Sequence, residues 1–121
     1  MKNSRKFVIQ KHTKGEAVHW DLMLEAGQVL ETYRIDLPPE EISGKLVEAV
    51  KIFDHSLKFL TYQGSVEQGK GLVEIADSGI YRIISKTDAQ TEFQFEGKIL
   101  KGKFALILLK EDRWQFKATS P

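Results

Sequence analysis

Short runs in which apolar and polar residues alternate recur along this chain at intervals of roughly 8 to 12 residues, and turn residues close each of them. Phe7 to Lys11, Trp20 to Leu24 and Val29 to Ile35 come first, separated by Gly15 and by Ala26-Gly27. Lys51 to Tyr62, Gly71 to Ala76, Ile80 to Ser85, Glu92 to Leu100, Lys103 to Leu109 and Trp114 to Ala118 follow. Their turns carry Gly64, Gly69, Gly71, Asp77-Ser78-Gly79, Gly97, Lys101-Gly102 and Glu111-Asp112. A period of two sends successive side chains to opposite faces of a sheet, so such runs are strands with one buried face. About seven to nine of them predict an all-β fold, an antiparallel barrel or sandwich. Residues 36–50 break the pattern. Pro38-Pro39-Glu40-Glu41 interrupts the alternation, and Leu46 and Val50 are spaced as on one helical face, which predicts one short helix.

At 121 residues, this set of strands is expected to form a single domain spanning residues 1–121. No apolar run approaches the roughly 18 residues of a membrane-spanning helix, and the start MKNSRKFVIQ lacks the apolar stretch of a signal peptide. The expectation is a cytoplasmic chain with no membrane partner. The net charge of +1 gives no global electrostatic case for binding a nucleic-acid backbone, although a local basic patch is compatible with it. There is no cysteine, so disulfides and thiolate metal sites are excluded. Any metal must be held by His, Asp or Glu, which directs attention to the three histidines.

Two of them flank the first turn. In VHWDLMLEAG, residues 18–27, the alternation places His19, Asp21, Met23 and Glu25 on one face and Trp20, Leu22 and Leu24 on the other. The polar row, with side chains about 7 Å apart, is either a site or a solvated face. His12 ends the preceding run. If the two runs pair as antiparallel neighbours, facing side chains lie ~4.5 to 5.5 Å apart, and His12, His19 and Asp21 can converge on one ion. Two imidazoles and a carboxylate suit a divalent metal such as Mn²⁺ or Zn²⁺ with open positions for water or substrate. The third histidine, His55, follows Asp54, a pairing that can polarise an imidazole for acid chemistry or phosphate contact.

Four segments carry a resemblance. FVIQKH (7–12), HWDLMLE (19–25), DHSLKF (54–59) and WQFKA (114–118) resemble, in order, conserved-type blocks of the 3′-phosphoesterase domain of bacterial DNA ligase D. That family shows a Phe-Val-hydrophobic-Gln-Lys-His start, a His-Tyr-Asp-Phe-Arg-Leu-Glu strand, an Asp-His-Pro-Leu-x-Tyr segment and a Trp-Leu-hydrophobic-hydrophobic-Lys end. All three histidines fall on family histidine positions. The resemblance implies a compact antiparallel β-barrel with a Mn²⁺-dependent site that trims DNA or RNA 3′ ends, removing a 3′-phosphate or a terminal ribonucleotide in DNA repair, alongside a repair ligase or polymerase. It implies His12, His19 and Asp21 as metal ligands, His55 with Asp54 at the scissile phosphate, and Gln10 and Glu25 as residues that orient the ligands.

The chain also departs from the family. Met23 stands where the family has an arginine able to clamp a phosphate, and Phe59 where it has a tyrosine hydroxyl. The segment RIDLPPE replaces a Pro-Lys-Gly segment, the loop from His12 to His19 is one residue longer, and Lys51 keeps a charge where the family has arginine. Because loss of one transition-state donor costs ~10² to 10³ in rate, two such losses leave two expectations open. One is a weakened phosphoesterase in which Tyr62, Lys11, Arg34 or Lys58 compensates. The other is a degenerate barrel that binds nucleic acid or protein without cleaving it.

Overall fold

The structure is a computed structural model that describes residues 4–42 and 44–119. Nine strands form one antiparallel sheet: β1 (Arg5–Lys14), β2 (Ala17–Ala26), β3 (Val29–Ile35), β4 (Val47–Ser56), β5 (Gly64–Val66), β6 (Gly71–Lys86), β7 (Gln90–Gly97), β8 (Lys101–Lys110) and β9 (Arg113–Ala118). Their order is β1-β2-β3-β4-β9-β8-β7-β6-β5, and β1 also pairs with β6. That last pairing closes the sheet into a ring, with β5 added to the outer edge of β6, so the expected all-β antiparallel barrel is what the chain forms.

Alternation along the strands builds two apolar clusters on opposite faces of the same sheet. Phe7, Ile9, Leu22, Leu24, Tyr33 and Ile35 point into the ring, where they meet Phe93, Phe95, Phe104, Leu106 and Phe116. The rings of Phe7, Phe104 and Phe116 each stand 5.1 to 5.9 Å from that of Phe95, at steep mutual angles. Val8, Met23 and Leu30 point outward. They are buried because Leu57, Phe59, Leu60 and Ile75 cover them. The polar row of β2 therefore lies on the outer wall of the barrel, under a small roof.

Three local readings differ from expectation. The short helix anticipated over residues 40–50 is a single 3₁₀ turn, Pro39–Glu41, and residue 43 lies outside the described residues. Val47 and Ala49 alternate into the core from β4, while Leu46 is exposed, so the apparent helical spacing of Leu46 and Val50 is overridden by strand pairing with β9. The long strand expected to run to Tyr62 stops at Ser56. A 3₁₀ turn, Leu57–Leu60, follows, and the Ser56 hydroxyl accepts the amide of Lys58.

The third difference concerns Asp77-Ser78-Gly79, read as a turn between two strands. It lies inside one 16-residue strand, β6, where the register against β1 shifts between Ile9 and Gln10. Asp77 is buried, and its carboxylate accepts the amides of Ser78, Lys98, Ile99 and Leu100. The turn-forming aspartate thus organises the turn between β7 and β8 from the neighbouring strand. Gly79 is required because a Cβ there would run into the Glu96 carbonyl.

Candidate metal and phosphate site

The β1–β2 hairpin assembles the site. A two-residue turn, with Gly15 at φ +60°, pairs Lys14 with Ala17, and the antiparallel ladder then sets His12 opposite His19 and Gln10 opposite Asp21. Strand β3 continues the same outer face, with Arg34 opposite Asp21 and Thr32 opposite Met23.

The donor atoms of His12, His19 and Asp21 all lie within 4.8 Å of one another. His19 Nε2 stands 3.2 Å from His12 Nδ1 and 3.2 Å from Asp21 Oδ2. One proton on that nitrogen serves one of these neighbours well and not both. Two further atoms of the cluster, His12 Nε2 and Asp21 Oδ1, are buried without a hydrogen-bond partner. The Asp21 side chain is 5% exposed. The polar row of β2 is therefore not a solvated face at this point, but a set of inward-converging donors with lone pairs to spare.

His55, on β4, bonds to Thr32 on the neighbouring strand. Its Nδ1 lies 2.8 Å from Thr32 Oγ1, and that hydroxyl donates to the Leu30 carbonyl at 3.0 Å. The threonine's one proton is thereby committed, so Oγ1 accepts from Nδ1–H and Nε2 is the nitrogen left for the site. Burial lowers the pKa of His55 below its ordinary value, opposed in part by the charge of Asp21 and by a hydrogen bond to the Phe53 backbone, and reinforced by His12 and Arg34. Phe53 stacks on the imidazole with centroids 4.6 Å apart, and Phe59 meets it edge-on at 5.6 Å.

The remaining expected residues are placed differently. Asp54 is half-exposed and faces Lys51 at 3.8 Å, so the partner that orients His55 is Thr32 and not the neighbouring carboxylate. Buried Gln10 donates from Nε2 to the carbonyls of Phe59 (3.2 Å) and Tyr62 (3.0 Å); it ties down the roof and touches neither histidine. Glu25 lies at the far end of β2, where its carboxylate accepts the Lys6 amide. Met23 and Phe59 both belong to the outer apolar cluster, Met23 at 1% exposure.

Two residues in the cluster carry no motif. Thr32 is one. Glu67 is the other: its Oε2 lies 3.4 Å from His12 Nε2, and its Oε1 lies 3.5 Å from Lys14 Nζ. Glu67 and Gln68 both hold left-handed backbone, φ 54° and 59°, a strained conformation for two successive non-glycine residues that delivers the carboxylate to the histidine. Gly71 leaves the room, since a Cβ there would stand 2.9 Å from both Glu67 Oε2 and His12 Nε2. Only pairs of left-handed non-glycine residues hint at such a site, and these are invisible in a sequence.

A sequence model described as the DNA ligase D 3′-phosphoesterase domain matches residues 10–108. The chain belongs to that family. It is also 33% identical, across 93% of its length, to the multifunctional non-homologous end joining protein LigD of Mycolicibacterium smegmatis (strain ATCC 700084 / mc(2)155). The aligned part covers 16% of that protein, so this chain spans about one sixth of the relative. The matched region takes in Gln10, the His12–His19–Asp21 cluster, Thr32, His55 and Glu67.

Proposed function

We propose that this protein is a phosphoesterase that uses a divalent metal, Mn²⁺ with Zn²⁺ as the alternative ion, to process 3′ ends of DNA or RNA in DNA repair, removing a 3′-phosphate or a terminal ribonucleotide. The observation that carries the reading is the convergence of three donor atoms from β1 and β2 within 4.8 Å, with Asp21 Oδ1 buried beside them and without a hydrogen-bond partner. Family membership supplies the reaction class.

His12, His19 and Asp21 would hold the ion, which polarises a phosphoryl oxygen and lowers the pKa of bound water. Glu67, facing the far nitrogen of His12, keeps that ring turned with Nδ1 toward the other two donors. His55 works from β4, on the same outer face as Thr32. Neutral in the free protein because burial disfavours its charge, it gains a proton more readily once a phosphate dianion lies beside it, and Nε2 then donates to the transferred group. Thr32 holds the ring in the orientation this requires. A ligase or polymerase activity is the natural partner, because trimmed 3′ ends are substrates for joining or extension.

A second reading rests on Met23 and Phe59, which supply neither a guanidinium nor a hydroxyl: a barrel that keeps the ion and binds nucleic acid or protein without cleavage. One experiment separates the two. Metal content and Mn²⁺ affinity are measured for the wild type and His19→Ala, together with phosphate release from a 3′-phosphorylated oligonucleotide. The phosphoesterase reading expects uptake of one ion and release of phosphate, both abolished in the variant. Metal uptake without any release establishes the binding module, and unaltered uptake in His19→Ala removes these residues from the site.

A further inference from the structure

We propose that Arg34 is the cation that contacts the substrate phosphate at this site, taking from β3 the place that Met23 on β2 does not fill; the inference rests on the phosphoesterase reading above. Arg34 is the cross-strand partner of Asp21, and its Nε lies 3.8 Å from Asp21 Oδ1. That distance is too long for a hydrogen bond, and Asp21 Oδ1 has no other partner among the described residues. The arginine side chain is 44% exposed. Its Nε therefore stands beside the ligand cluster on a side chain that is open to solvent, and a guanidinium so placed offers the fork that suits a bidentate anion.

Position 23 cannot take this role as the chain is folded. Met23 lies one step along the ladder, buried between Val8, Leu30 and the turn at Leu57–Leu60, and no anion reaches it there. The other candidate groups are directed elsewhere. Lys11 pairs with Trp20 and Glu74 and alternates onto the face opposite His12. Tyr62 donates its hydroxyl to the Ser65 carbonyl. Lys58 lies with its ammonium 5.3 Å over the Phe59 ring. Arg34 alone among these pairs with a residue of the ligand cluster, and it shares the outer face of β3 with Thr32, which holds His55. Arg34 and Thr32 are two residues apart on the outer face of β3, so the guanidinium beside Asp21 and the threonine that holds the His55 ring stand about 7 Å apart along one strand.

The test uses the full chain loaded with Mn²⁺ and compares Arg34→Met, Arg34→Lys and Lys58→Met. Affinity for inorganic phosphate is read by calorimetry, Mn²⁺ affinity separately, and kcat/KM on a 3′-phosphorylated oligonucleotide. Arg34→Met is expected to weaken phosphate binding at least about tenfold and kcat/KM by ~10², with Mn²⁺ affinity unchanged or tighter and Arg34→Lys in between. Lys58→Met is expected to match the wild type. If Arg34 serves only to brace Asp21, Mn²⁺ affinity falls and phosphate affinity holds, which overturns the proposal while the phosphoesterase reading stands. A larger loss of phosphate affinity in Lys58→Met than in Arg34→Met overturns it as well. A wild type that binds Mn²⁺ but neither phosphate nor the oligonucleotide overturns both.

Discussion

Met23 illustrates how one side chain can decide between two histories of a site. The family resemblance suggests that restoring arginine at 23 and tyrosine at 59 would rebuild a phosphate clamp. The fold says otherwise, because Met23 is sealed in an apolar cluster in which a guanidinium has no partner. Met23→Arg with Phe59→Tyr is therefore expected to cost about 3 kcal/mol or more of stability in thermal or denaturant unfolding, with no gain in phosphate release, whereas Met23→Leu costs less than about 1.5 kcal/mol. His55 gives a second residue-level expectation. Its folded-state pKa is depressed, so below the unfolded-state value of about 6.5 the unfolded chain takes up a proton before the native one does. Stability present above pH ~6.5 is lost as pH falls toward the lower native value. In chelator-treated protein, His55→Gln should flatten the unfolding free energy between pH 6.5 and 5 relative to the wild type.

At the scale of elements, β6 carries the clearest lesson. Replacing Asp77 by alanine removes the acceptor for four backbone amides, that of Leu100 fully buried, and is expected to destabilise the protein by about 2 to 4 kcal/mol in urea unfolding. Asp-Ser-Gly reads locally as a turn, and nothing nearby in sequence reveals that its carboxylate serves a turn 21 to 23 residues away. The β1–β2 hairpin lies at the other extreme. Its alternation and the glycine of its turn are local, and together they set the facing of His12, His19 and Asp21, so that cluster was legible without coordinates. Thr32 as the neighbour of His55, and Glu67 beside His12, were not, because each depends on a non-local arrangement: the pairing of β3 with β4, or the left-handed step beside β6. The helix expected near residue 46 failed for the same reason, since two apolar residues at helical spacing weigh less than a whole strand partner in β9.

For the whole molecule, the ring is closed while the roof over the site, residues 57–62, is held to it mainly by the outer apolar cluster and by the two hydrogen bonds of Gln10. Native-state hydrogen exchange should find the amides of β1, β7 and β8 opening only with global unfolding and those of residues 57–62 opening at lower cost; Gln10→Ala should speed the latter without moving the former. The two faces of β1, β2 and β3 carry a further implication. Phe7, Ile9 and Leu22 fill the interior from the very strands that present His12, His19 and Asp21 on the other face. Heat resistance and the donor cluster thus draw on different faces of one sheet: interior substitutions are expected to shift the unfolding temperature while the facing of His12, His19 and Asp21 is kept, and outer positions away from the buried Val8–Met23–Leu30 patch are expected to vary with little effect on the interior.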